Sequence, residues 1–445
     1  MSTGLPPIPL QQYAVDLSGA VARQDGGIAA AILNLQDRVA VERIYQGLPY
    51  ATSRSFTDSP HLQEIKRIFV SSQLDGSGQT AWSLIASKHI AAVVHLAQAP
   101  PSADVSAAGQ QHYQKAFDAQ LDLSKTFLAW FQDTNQASTT WALPVLFCLC
   151  RDLKSLAINA DNELRALGQR TAKLEEASRH ITKAWTACLN DRSSNAFGGP
   201  RRNMGTYYLA TLLFKIYFKL ETLGLCKNIV RGIQNQSDLP PLDTFPRAHQ
   251  VTYRYYIGVF AFLNEKYSDA ERELEFAFNN CHRLAYRNQQ RILSYLIPVK
   301  LLRGVLPSQR LFNNYPQLAT LYAPLVHAYR IGDLKGYDDA LAGTRAALIS
   351  RGTFLIVERA REGCLRTLFK QVWLCSGKGS RLLVSTVQAA LNHVNVNIDS
   401  DEVECLLANL IHKGHLRGYI SHERQTVVLA KEKPFPDIIG KQLVV

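Results

Sequence analysis

The chain has no CxxC pair. Its eight cysteines are scattered over 445 residues, and only Cys148 and Cys150 stand close together. That spacing offers neither a zinc ribbon nor a redox dithiol, so the thiols are expected to be small apolar residues buried in the helices of an intracellular protein. No GxxxxGK[ST] is present; Gly377-Lys378 in SGKGS lacks the earlier glycine and the preceding strand that a phosphate loop needs. HExxH and GxSxG are also missing, which removes the common zinc-protease and serine-hydrolase readings. His412, His415 and His422 fall close together, but no Cys or carboxylate stands at ligand spacing. The run Glu271, Glu273, Glu275 alternates around a helix and reads as a solvated face. No catalytic residue, metal, cofactor or small-molecule substrate is therefore expected. The uncharged stretch Thr134 to Cys150 carries Pro144 and several polar residues, a poor membrane span, and MSTGLPPIPL lacks the charged and apolar regions of a secretory signal.

Strand signals are scarce before residue 415, where helical periodicity dominates. Polar punctuation breaks it at 51–60, 99–109, 190–203 and 235–246. Charge changes at the third of these. Residues 1–200 hold 17 Lys and Arg against 17 Asp and Glu, whereas 201–445 hold 32 against 20, the whole excess of +12. A basic half beside a neutral one points to a polyanionic partner, either nucleic acid or an acidic protein segment. The expected division is an N-terminal helical region over 1–200, helical repeats over 201–375, a winged helix over 376–438 and a tail over 439–445.

The repeats are read from spacing. YYLATLLFKIYFKLETLGLCKNIVRGI reads as two helices meeting at Gly224. Gly258, Tyr267, Ala270, Leu274 and Ala277 then match the tetratricopeptide unit, in which small residues let two helices approach. Tyr337-Asp338-Asp339-Ala340 repeats Tyr267-Ser268-Asp269-Ala270 seventy residues later, and Pro307-Ser308 start an intervening helix. The aromatic run Tyr207, Tyr208, Phe214, Tyr217, Phe218 reads as interior packing. The expected fold class is therefore an all-α right-handed helical repeat stack, capped at its C-terminal end.

The cap is a winged helix. Leu382 to Leu391 supplies one helix. Asp399 or Ser400 can cap a second, with Glu402 three places after Asp399 as a capping box wants, and its apolar face is Val403, Leu406, Leu407, Leu410 and Ile411. Gly414 supplies a left-handed stop. Leu416, Gly418 and Ile420 alternate with Arg417, Tyr419 and Ser421, a turn HERQ follows, and TVVLA returns as the second strand of a hairpin.

These segments, with FKIYFKL, LCKNI, RILSYLIPVKLL and the closing DEVECLLANLIHKGHLRGYISHERQTVVLAKEKPFP, resemble the PCI domain over roughly 180–438. More narrowly the chain is similar to the group holding the signalosome-associated PCI protein and the PCI subunit of the TREX-2 messenger-RNA export complex. The resemblance implies a non-enzymatic nuclear scaffold that pairs with a second PCI-domain protein through winged helices. It also implies binding of a small acidic tether of the DSS1/Sem1 type and contact of RNA or double-stranded DNA with the wing. The alternative within the family is a COP9 signalosome assembly subunit that binds only proteins.

The wing gathers Lys413, His415, Arg417, Arg424, Lys431 and Lys433, with Arg366, Lys370, Lys378 and Arg381 just upstream. These cations are expected to contact phosphate oxygens, and Tyr419 to stack on a base; an ordinary protein interface is the other reading of the same surface. Against this, Asp399, Asp401, Glu402, Glu404 and Glu423 stand near these cations in sequence; the acidic cluster in the first turn of the helix, where its dipole favours it, is expected to point elsewhere. Thr426, Val427, Val428 and Leu429 are expected at a sheet edge whose free backbone groups invite another strand, or else to cover the wing's own core.

Overall fold

A computed structural model describes residues 6–48, 60–70, 76–99, 111–133, 139–191 and 201–437. The expected tail over 439–445 and most of the polar stretches at 51–60, 99–109 and 190–203 lie outside these residues. Within them are nineteen α-helices and a three-stranded sheet, and the chain divides into two compact units, Met1–His249 and Gln250–Val445.

The first unit holds α1 (Leu10–Ala22), α2 (Gly26–Ile32), α3 (Arg38–Gln46), α4 (Pro60–Val70), α5 (Gly76–Ala97), α6 (His112–Gln132), α7 (Leu143–Ala166), α8 (Lys173–Leu189), α9 (Thr206–Lys219) and α10 (Gly224–Gln234). Successive helices pack as neighbours, α5 on α6, α6 on α7 and α7 on α8, around Trp82, Phe127 and Phe131. The two helices expected around Gly224 are α9 and α10. Tyr207, Phe214 and Tyr217 are buried and Tyr208 and Phe218 half-buried, as an interior stripe requires.

The second unit begins within α11 (Arg247–Leu263) and continues through α12 (Tyr267–Asn280), α13 (Tyr286–Leu302), α14 (Gln309–Asn314), α15 (Pro316–Ile331), α16 (Leu334–Ser350) and α17 (Phe354–Cys375). The repeat spacing has a direct structural cause: a Cβ placed on Gly258 would stand 2.7 Å from Leu274 Cγ, so only glycine lets α11 and α12 meet there. Tyr267, Ala270, Leu274 and Ala277 are all buried. Ser308 caps α14 by accepting from the Leu311 amide. Tyr337 is fully buried and its hydroxyl donates to the Val357 carbonyl at 2.6 Å, tying α16 to α17.

The glutamate run is not a solvated face. Glu273 is buried and accepts from Arg254 at 2.6 Å and Arg272 at 3.2 Å. Glu275 pairs with Lys300 at 3.0 Å, and Glu271 with Lys300 at 3.4 Å and with Arg303. The apolar stripe of α12 is narrow, so the carboxylates flanking it meet cations brought by α11 and α13. The cysteines are all free. Cys148, Cys150, Cys188, Cys226 and Cys364 are buried as expected, but Cys375 and Cys405 are exposed, a correction to the expectation that burial accounts for all of them.

The C-terminal module runs β1 (Arg381–Leu383), α18 (Val384–His393), α19 (Ser400–His412), β2 (Gly418–Ser421) and β3 (Thr426–Leu429). The capping box at Asp399 and Glu402 is present, and Gly414 takes φ +70° after the helix. β1 is absent from the expected order, because Leu382 and Leu383 complete a strand that starts at Arg381 rather than beginning the helix, which starts at Val384. The sheet is antiparallel in the order β1-β3-β2, so β3 is its middle strand. This corrects the edge expected for Thr426, Val427, Val428 and Leu429. Their backbone groups are committed to β1 on one side and β2 on the other, and Thr426, Val427 and Leu429 are buried. No augmenting strand can add to them.

Candidate nucleic-acid interface

Strand register decides which side chains share a face. Arg381 pairs with Val428 and Val428 with Tyr419, so these three form one cross-strand row. Leu382, Val427 and Ile420 form the adjacent row, on the opposite face because successive side chains alternate. Leu382 and Val427 are buried, which makes theirs the inner face, toward α18 and α19. The row of Arg381, Val428 and Tyr419 is therefore the outer face. Arg381 is exposed, Tyr419 is 63% exposed, and Val428 between them is half-buried. With strands roughly 4.8 Å apart, the row spans about 10 Å.

Arg417 stands two residues before Tyr419 on the same face. Its amide donates to Pro434 O at 2.8 Å and its carbonyl accepts from Ala430 at 2.9 Å, extending the β2 pairing by one residue. Leu383, two residues after Arg381, also faces outward and is 55% exposed. A three-residue strand is too short for alternation to show in sequence, so no periodicity in the sequence marks Leu383 as outward-facing. The only local signal is the pair Arg381 and Leu383 flanking a buried Leu382.

The other expected cations divide. Arg366 is buried, and its Nη2 donates to Phe435 O at 3.2 Å and Pro436 O at 2.9 Å. It straps the segment after β3 to α17, where Trp373 also meets Phe435 with ring centroids 5.7 Å apart. Buried and turned inward onto two carbonyls through Nη2, this guanidinium is not presented to solvent where a phosphate could meet it, so Arg366 leaves the candidate set. Lys413 is ion-paired to Glu362, which neutralises it within the chain and removes it as well. His415 is half-buried in the turn between α19 and β2.

Lys370 on α17, Lys378 before β1, Arg424 in the β2–β3 turn, and Lys431 and Lys433 after β3 are all exposed. Among the described residues, no carboxylate stands within ion-pair distance of these five, of Arg381 or of Arg417. Of the acidic residues at the start of α19, three are occupied elsewhere, while Asp401 is exposed in the first turn. Asp399 and Glu402 cap the helix, and Glu404 Oε2 lies 2.8 Å from His422 Nδ1. That contact raises the His422 pKa above its ordinary value, first through the hydrogen bond and then through the carboxylate's charge. It also holds the β2–β3 turn against α19.

The arrangement is an aromatic flanked by uncompensated guanidinium groups on a rigid sheet, a combination that suits phosphate contact and base stacking. Among the described residues no group of His, Cys, Asp and Glu is placed to hold a metal ion. No helix among them is long and apolar enough to cross a membrane.

Comparison with known proteins bears on the same region. The PCI domain matches residues 341–431, from within α16 to the residues just after β3. A protein named "Protein CSN12 homolog" from Mycosarcoma maydis is 40% identical over 346 residues, covering 72% of this chain and 75% of that protein. "PCI domain-containing protein 2" of Xenopus laevis is 34% identical over 337 residues, covering 75% and 82%. "Enhanced ethylene response protein 5" of Arabidopsis thaliana is 32% identical over 329 residues, covering 73% and 77%. Likeness of this extent makes the chain a member of the PCI-domain family, in the group that contains the CSN12 homologues and PCI domain-containing protein 2.

Proposed function

We propose that this chain is a scaffold subunit of a nuclear messenger-RNA processing or export complex of the TREX-2 kind. In this reading it pairs with a second PCI-domain protein and a small acidic tether of the DSS1/Sem1 type, and its wing contributes a nucleic-acid contact surface. The observation that carries the reading is the outer row of Arg381, Val428 and Tyr419 with Arg417 beside it, which has no ion pairing among the described residues. The scaffold part is supported by membership of the PCI-domain family. Phosphate neutralisation releases condensed counterions, so binding should weaken steeply with salt. Titrating the full chain, alone and with its partners, against RNA and duplex DNA at two salt concentrations tests this. Binding that falls with salt supports the reading, and undetectable or salt-independent binding removes the wing contact.

A second reading, an assembly subunit associated with the COP9 signalosome that binds only proteins, is favoured by two observations. Relatives carry the name CSN12 homolog, and Leu383 puts an exposed apolar side chain on the same face as Arg381. Arg417→Glu with Arg424→Glu separates the two readings. Loss of nucleic-acid binding with partners retained favours the first, and loss of partner co-purification with nucleic-acid binding intact favours the second.

A further inference from the structure

Away from the wing, the second unit contains a cleft of about 420 Å³ where α13, the first turn of α15 and the end of α16 come together. Arg287 and Arg291 line it from successive turns of α13, and Arg351 from the end of α16, its Nη1 donating to Ala347 O at 3.0 Å. Gln290 and Gln317 hydrogen-bond to each other within it. Tyr286 closes one side, stacked on Tyr315 with centroids 5.1 Å apart. No lining residue is acidic, and among the described residues no carboxylate stands within ion-pair distance of the three arginines. Elsewhere in this unit Arg254, Arg303, Arg359 and Arg361 are each matched to a carboxylate. Three like charges lining one concavity repel one another, and a bound anion would relieve that repulsion.

We propose that this cleft binds a phosphomonoester dianion. Guanidinium groups present planar forks that match phosphate oxygens two at a time. A phosphomonoester brings about −1.5 to −2 charges at neutral pH to a single point, as three arginines around one cleft require. A nucleic-acid backbone brings one charge per phosphate strung along a strand, which suits an extended surface such as the outer face of the sheet. Gln290 and Gln317 add neutral donors, and the volume leaves room for the carrier of the phosphate.

Calorimetric titration of the full chain with inorganic phosphate, O-phosphoserine and dimethyl phosphate tests the assignment. Both of the first two should bind, and the diester at least tenfold more weakly. Arg287→Gln with Arg291→Gln should lose at least tenfold while keeping its melting temperature, and Arg351→Gln should weaken binding on its own. Arg381→Gln with Arg417→Gln should leave it unchanged, which separates this site from the wing. A pool of phosphoserine peptides with randomised flanks and adenosine monophosphate then distinguish the carrier. Tighter binding of either, relative to O-phosphoserine, sustains the assignment and says whether a protein or a nucleotide supplies the group. No heat with either monoester, a diester that binds equally well, or binding that survives loss of Arg287 and Arg291 would overturn it. So would a glutamate peptide pool that matches the phosphorylated one.

Discussion

Arg366 illustrates how one side chain changes role with its surroundings. Seen only as a basic residue upstream of the wing, it belonged with Lys370, one turn later on the same helix. In the fold it is buried, and both its acceptors lie about seventy residues away, at Phe435 and Pro436. Nothing local to α17 announces those carbonyls, which is why the sequence could not separate the two residues. Charge-assisted hydrogen bonds are worth about 1.5–3 kcal/mol, and stranding their buried acceptors costs a similar amount. Arg366→Met is therefore expected to lower stability by about 2–3 kcal/mol in urea denaturation. Lys370→Met, at an exposed position, should stay within about 0.5 kcal/mol. Equal effects at the two sites would contradict the assignment of Arg366 to structure.

Elements whose cause lies in a short window are legible in the sequence. Asp399 and Glu402 cap α19 because they stand three residues apart, and Gly414 stops it because it tolerates positive φ. The approach of α11 and α12 was legible in the same way, through Gly258. Replacing that residue by alanine normally gains about 1 kcal/mol of helix propensity. Here the added Cβ would stand 2.7 Å from Leu274 Cγ and 3.2 Å from Leu274 N, and overpacking of this kind costs about 1–3 kcal/mol. Gly258→Ala is expected to be net destabilising by about 1 kcal/mol in thermal or denaturant unfolding, and a stabilised variant would show that the helices have room to spare. Strand order was not legible, because β3 becomes central only through β1, three residues contributed from the far side of α18 and α19. The contact between His422 and Glu404 joins the β2–β3 turn to α19. Its histidine titrates above the ordinary value of 6.5. The stabilisation is thus complete below that value and is lost as pH rises through the raised pKa. The difference in melting temperature between wild type and His422→Gln should be present at pH 6 and shrink in the alkaline range; a difference that grows with pH would contradict the pairing.

At the scale of the whole molecule, the charge excess after residue 200 does not lie evenly over that half of the chain. Ion pairs absorb Arg254, Lys300, Arg303, Arg359, Arg361 and Lys413. What remains uncompensated includes the outer face of the wing and the cleft around Arg287 and Arg291. Sequence pattern placed Arg417 and Tyr419 on one face, and strand register added Arg381 across from them. The proposed role requires that face to meet phosphate. The most direct measurement is the slope of log affinity against log salt for duplex DNA, compared between the wild-type chain and Arg381→Gln with Arg417→Gln. Each phosphate contact contributes roughly 0.9 to that slope, so the variant's slope should be shallower by about 2. An unchanged slope, with the variant folded, would contradict the assignment of these two arginines to a nucleic-acid surface.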